Sequence, residues 1–238
     1  MIPFLRMLSA ILFMIIVIPP AALIAFPWTF ITRDATFLYR VGMRIVRITV
    51  WLTGTKVQMR GLEKIDAAGT YIFMSNHVSN LDGAILAPRI PRRTSILAKK
   101  ELWRLPIIGW TFTIASIVPV ERDNREAAVR SVGRAGEVMQ QGINMMVYPE
   151  GTRSPDGRLL PFKKGPFHLA AETGFPIVPV TTLGTFEMMP KGKFASKGGT
   201  ATLVFHPSID PKQFASREEL MEAVENVIRS ALPPERRL

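Results

Sequence analysis

The chain has no cysteine. Disulfide bridges, a thiolate nucleophile, a thiolate-bound zinc ion and an iron–sulfur cluster are therefore excluded. Any acyl or phosphoryl chemistry runs through oxygen or nitrogen groups. No G-x-S-x-G elbow is present to supply a serine nucleophile. Histidine is scarce, with three in 238 residues, and so is acid, with Asp+Glu 19 against Lys+Arg 30 and a formal net charge of +11. Such an imbalance points to a polyanionic partner: nucleic acid, an anionic membrane face or a phosphorylated substrate. Three tyrosines and no recognisable nucleic-acid-reading motif argue against the first of these. Internal repeats and low-complexity tracts are also missing.

Charge is absent altogether from residues 7–32, a stretch of 26 residues and enough helix to cross about 30 Å of hydrocarbon. A secretory signal is the rival reading, but the run exceeds a signal core and Pro19 and Pro20 interrupt it. Those prolines leave two forms open, a kinked single span or a helical hairpin dipping into one leaflet. Up to Arg60 there are seven basic residues and one acid. The positive-inside rule then sets this segment against anionic lipid on the cytoplasmic face of the inner membrane. Residues 1–54 are expected to be membrane-associated and helical, 55–232 to form one α/β domain, and 233–238 to fray.

From residue 55 short apolar runs alternate with helical stretches, the pattern of an α/β domain. Strands are predicted at 57–60, 71–75, 94–98, 117–120, 144–148, 177–182 and 202–205. A helix over 124–141 has a capping box of Asp123 and Glu126, a stripe of Ala128, Val132, Ala135 and Met139, and a stop at Gly142. A second, over 216–231, is capped by Ser216 and Glu219. Residues 191–199 read as a polar loop.

Two stretches carry chemistry. In SNHVSNLDG, residues 75–83, His77 follows an apolar run and stands where a strand gives way to a helix, the place α/β proteins put ligands. Five residues turn a helix by roughly 140°, so His77 lies in the turn and Asp82 in the first helical turn behind it. There the carboxylate can hold one ring nitrogen and leave the other free to take a proton. The alternative is a plain S-x-x-D helix start at Ser79 and Asp82 with a satisfied turn histidine. In YPEGTRS, residues 148–154, Gly151 allows close backbone approach, Thr152 offers a hydroxyl and an amide, and Arg153 can hold phosphate through two parallel bonds. An ordinary turn, with Glu150 paired to Arg153 or Arg122, reads equally well. Lys99 and Lys100 sit in a span, 89–104, of six basic residues and one acid.

Taken together these blocks resemble the glycerolipid acyltransferases, and among them the bacterial 1-acylglycerol-3-phosphate acyltransferases. NHVSNLD fits their NH-x4-D block and YPEGTRS their PEGTR block, with AKKEL, IVPVER, FKKGPFHLA and FPIVPV in the same order between about 61 and 205. The second block departs from the usual G-x-x-F-x-x-R, with Ser116 and Pro119 in place of glycine and phenylalanine, while Arg122 is kept. The resemblance implies a mostly parallel twisted sheet flanked by helices, preceded by a membrane-embedded helical hairpin. It implies that His77 is the base on the free hydroxyl of a lysophospholipid and that Asp82 orients it. Glu150, Gly151, Thr152 and Arg153 would bind the acceptor, with Arg122 and Lys99 on phosphate. The acyl donor would be acyl-CoA or acyl carrier protein, without metal or cofactor, and the product phosphatidate. Other acceptors (a lyso-ornithine lipid, another lysophospholipid, glycerol 3-phosphate) and a non-catalytic anionic-lipid binder are the competing readings. The oligomeric state is left open.

Overall fold

The computed structural model describes residues 2–120 and 125–237. Seven strands, β1 (Thr55–Arg60), β2 (Ile72–Ser75), β3 (Thr94–Lys99), β4 (Val118–Val120), β5 (Asn144–Val147), β6 (Ile177–Leu183) and β7 (Gly199–Phe205), form one sheet in the order β1-β7-β6-β2-β5-β3-β4. Every pairing is parallel except β6 with β7. All seven overlap the strands predicted from alternation and apolar runs. The central strands β2 and β5 are buried along their full length, which is why they read as continuous apolar runs.

Side chains on alternate residues build two cores. Ile72 and Met74 of β2, with Met145, Val147 and Ile177, pack on one face beneath Ala135 and Met139 of one helix, Phe167 and Ala170 of a second, and Leu220, Val224 and Ile228 of a third. Phe73, with Met146, Val178 and Leu203, packs on the other face beneath Val50, Leu81 and Ile85. Each of the Val, Leu, Ile, Phe and Met side chains among them contributes roughly 1.5–3 kcal/mol by leaving water. The helices are α1 (Ile2–Thr32), α2 (Thr36–Leu52), α3 (Leu81–Leu86), α4 (Pro106–Ile114), α5 (Arg125–Gln140), α6 (Lys164–Thr173), α7 (Thr185–Met188) and α8 (Arg217–Ala231). At α8 the predicted cap is present: the Glu219 amide donates to Ser216 Oγ at 3.1 Å, and Glu219 Oε2 accepts from the Ala215 amide at 3.2 Å. The corresponding cap of α5 depends on Asp123 and the Glu126 side chain, which lie outside the described residues, as does the side chain of Ala128.

The prolines do not interrupt the first helix. Pro19, Pro20 and Pro27 all fall inside α1, and the chain reverses only at residues 33–35, where Arg33 takes φ 55°. A helix satisfies its own backbone without water, and a run this apolar keeps that shape through the prolines. The Arg6 guanidinium at its start donates to the Lys197 carbonyl at 2.9 Å and crowds Gly54, just beyond the end of α2. Thus α1 and α2 are antiparallel, a hairpin whose turn is fourteen residues later than the proline pair suggests. By length and composition α1 can cross a membrane, and only 6% of its most apolar window is buried. Its outward face carries Leu5, Leu12, Ile16, Leu23, Phe30 and Ile31. A soluble core helix would hide them.

The tail expected to fray is instead held down. Residues Pro234–Arg236 form a 3-10 turn, the Leu159 amide donates to the Arg236 carbonyl at 3.1 Å, and Arg236 lies over the Phe186 ring and pairs with Glu187. The signal missed was that Arg236 has an aromatic face and a carboxylate to meet.

Candidate active site

Parallel pairing of β2 with β5, in register Met74 with Val147, brings the two motif loops side by side at the carboxyl ends of adjacent strands. They are then stitched together through the backbone of His77. Its amide donates to Glu150 Oε1 at 2.7 Å, and its carbonyl accepts from the Ser154 amide at 2.8 Å. Asn76, the residue before it, bonds both ways with the backbone of Thr182 on β6 at 2.8 and 2.9 Å. The histidine backbone is thereby fixed from three strands.

The side chain is fixed as firmly. His77 Nδ1 lies 2.8 Å from Asp82 Oδ2, its ring stacks on Tyr148 with centroids 3.9 Å apart and planes 14° from parallel, and the side chain is 20% exposed while Asp82 is fully buried. Nε2 makes no hydrogen bond among the described residues. The same Asp82 oxygen accepts from the amides of Val78 at 2.7 Å and Ser79 at 2.8 Å. Ser79 Oγ accepts from the Leu81 amide at 3.1 Å. So the helix-start reading and the oriented-histidine reading are both true of one carboxylate. An acceptor-only carboxylate on Nδ1 fixes the proton there and leaves Nε2 as the basic nitrogen.

Glu150 does not pair with Arg153. It is 2% exposed, and its second oxygen takes the Leu160 amide at 3.2 Å, so it braces the His77 loop from behind. Burial pushes its carboxyl up from 4.5 to about 8, against the lowering effect of the His77 and Leu160 amides, and Asp82 adds to the rise. A carboxyl that binds its proton more tightly when folded contributes stability below its unfolded value, and that contribution is lost as pH rises. The melting temperature is therefore expected to fall between pH 4.5 and about 8, a fall absent in Glu150→Gln. Thermal unfolding across that range, followed by circular dichroism, is the check; parallel slopes in the two proteins would refute it.

Around this centre lie the cations. Gly151 takes φ 69°, and a Cβ there would meet the Lys163 stem at 3.0 Å, so glycine lets the lysine close over the loop. Thr152 is exposed beside it. The Arg153 guanidinium donates to Asn80 in the His77 loop, and Lys191 Nζ donates to the Arg153 carbonyl at 3.1 Å. Lys99 closes β3, beyond β5 from His77, and is exposed. Arg122 lies outside the described residues. Sequence reasoning passed over Lys163 and Lys191, although FKKG and PKGK announce them, because each is brought to the loop by a distant segment. The loop that holds the His77 backbone thus also carries or gathers Lys163, Arg153 and Lys191.

A family model described as Acyltransferase matches residues 56–183. The chain is 36% identical over 185 residues to 1-acyl-sn-glycerol-3-phosphate acyltransferase of Limnanthes alba, covering 77% of this chain and 64% of that protein. It is 30% identical over 187 residues to the protein of the same name in Borreliella burgdorferi, covering 79% and 74%. The chain thus spans less than two thirds of the length of the Limnanthes relative. Among solved structures, the 1-acyl-sn-glycerophosphate (LPA) acyltransferase PlsC from Thermotoga maritima superposes with a TM-score of 0.74 at 29% identity, over 95% of this chain and 94% of that one.

Proposed function

This chain belongs to the acyltransferase family, and we propose that it transfers a fatty acyl group from acyl-CoA or acyl carrier protein to the free hydroxyl of 1-acylglycerol 3-phosphate, forming phosphatidate. The observation that carries the reading is the His77 Nδ1–Asp82 contact of 2.8 Å with Nε2 left open. Nε2 takes the hydroxyl proton as the oxygen attacks the thioester carbonyl. The tetrahedral intermediate then expels the thiolate, which recovers that proton from the imidazolium, while the buried Asp82 carboxylate balances the transient charge. The thioester brings its own activation, so no resident cofactor or metal is needed. Arg153 and its neighbouring lysines hold the acceptor phosphate.

Both acceptor and product are amphiphiles, and a site beside the bilayer spares a long chain a passage through water. The exposed apolar face of α1 supports such attachment, and the arginines of α2 favour the cytoplasmic face of the inner membrane.

The test is Arg153→Lys, which keeps charge and loses the fork that grips phosphate twice. KM for lysophosphatidate is expected to rise roughly tenfold, the value of one strong hydrogen bond. KM for the acyl donor stays unchanged, and a lyso-ornithine acceptor, lacking a phosphomonoester, barely responds. Two-substrate kinetics with both acceptors decide it. Equal effects on the two acceptors, or an effect confined to the donor, would remove phosphate recognition from Arg153.

A further inference from the structure

At the opposite end of the strands from His77 lies an open cavity of about 640 Å³ lined by five arginines: Arg40, Arg44 and Arg47 of α2, and Arg92 and Arg93 from the loop entering β3. Residues 141–143, which lead into β5, complete its wall. It therefore sits at the amino ends of β3 and β5, whereas the histidine and PEGTR loops leave the carboxyl ends of β2 and β5. A four-residue strand, roughly 13 Å, separates the two.

None of the described residues lining the cavity is acidic. Asp34 stands nearby, its carboxyl lowered by hydrogen bonds with Thr36 and further by Arg93 and Arg40, but it is single and fully exposed. Arg44 and Arg47 make no hydrogen bond or ion pair among the described residues. The Arg92 guanidinium donates to the carbonyls of Ala68 and Gly69, and Arg93 reaches Ser116 Oγ at 3.4 Å. Crowding of like charge is felt next door. Arg89 is held down to about 10, first by burial and then by Arg47. Spacings of four and three along α2 put its three arginines on one helical face, and that face is turned to Arg92 and Arg93. An uncompensated ring of guanidinium forks around a concavity matches a dianionic phosphate.

The mouth also adjoins the membrane helix. Trp28 of α1 meets Phe37 of α2 with ring centroids 5.9 Å apart, and Trp28, Phe30 and Ile31 are exposed just beyond. We propose that this cavity is a second phosphate-binding site, distinct from the transfer centre, that takes the phosphomonoester of an anionic lipid headgroup or a free phosphate. It does not depend on the role given to His77: if the transfer centre took no phosphatidate, the wild type and the variant below would each bind one equivalent fewer and their difference would remain.

The experiment is an equilibrium titration of the full-length protein in non-ionic detergent with dioctanoyl phosphatidate at low salt. The wild type is expected to bind about two equivalents per chain and the triple variant Arg40→Gln/Arg44→Gln/Arg47→Gln about one, since each lost guanidinium removes a charged fork from a single site. A charge-matched control, Lys64→Gln/Arg134→Gln/Lys212→Gln, exposed elsewhere, keeps both. Transfer to short-chain soluble acceptors is the same in all three proteins. Inorganic phosphate is then added as competitor. Displacement of the second equivalent supports the site with free phosphate as occupant, and retention supports it with the lipid headgroup. Equal stoichiometry in wild type and triple variant, or equal loss in the control, would overturn the proposal.

Discussion

His77→Ala is expected to lose about 10²–10⁴-fold in turnover, the usual contribution of a positioned general base, while remaining folded. Folding should survive because the anchors of this residue are backbone groups: the amide to Glu150 and the carbonyl from Ser154 do not involve the imidazole. The side chain is 20% exposed, so its removal leaves a shallow dent rather than a closed void. Asp82 keeps two amide donors, from Val78 and Ser79, and stays compensated. What is lost is the one basic nitrogen facing solvent in this loop. The comparison is initial rate with acyl-CoA and lysophosphatidate, alongside melting temperature. A variant melting like wild type yet keeping more than about a tenth of its rate would leave no place for a base at His77.

The sequence carried the sheet because its strands are short and bounded, and because β2 and β5 are apolar on both faces. It carried the neighbourhood of His77 and Asp82 because five residues through a turn have few geometries. It did not carry contacts between distant segments. That Glu150 would turn inward to hold the His77 amide depends on how β5 registers against β2, which no local pattern encodes. The same is true of Lys163 over Gly151 and of Lys191 against Arg153. Of the two forms the proline pair left open, a hairpin turning at the prolines is absent and one helix runs through them. Proline rules describe helices in water, and α1 is by length and composition suited to lipid. The arginines of α2 were legible as positive charge, but their convergence with Arg92 and Arg93 appears only once α2 packs over the sheet's amino edge.

Asp82 separates catalysis from architecture, because a single oxygen, Oδ2, serves three donors. In Asp82→Asn the two backbone amides choose the amide orientation: they need an acceptor, so the side-chain oxygen takes the Oδ2 position. That oxygen can still receive Nδ1–H, so tautomer and helix start are both kept, and the NH₂ falls where Oδ1 is buried without a partner. Only the charge is removed. An ion pair across 4 Å at an effective dielectric of ~20 is worth about 4 kcal/mol, so losing it as the imidazolium forms predicts a fall of roughly 10³-fold in turnover. The unsatisfied NH₂ costs about 1–3 kcal/mol of stability. Asp82→Ala differs in kind, for it strands the amides of Val78 and Ser79 in a buried loop and should cost at least twice as much stability, about 2–6 kcal/mol, on top of the same loss of rate. Measuring both melting temperature and turnover for the two variants therefore resolves the double role. If Asp82→Asn kept a rate near that of the wild type while Asp82→Ala merely unfolded, the carboxylate would be a helix cap, and His77 would have to work without an oriented partner.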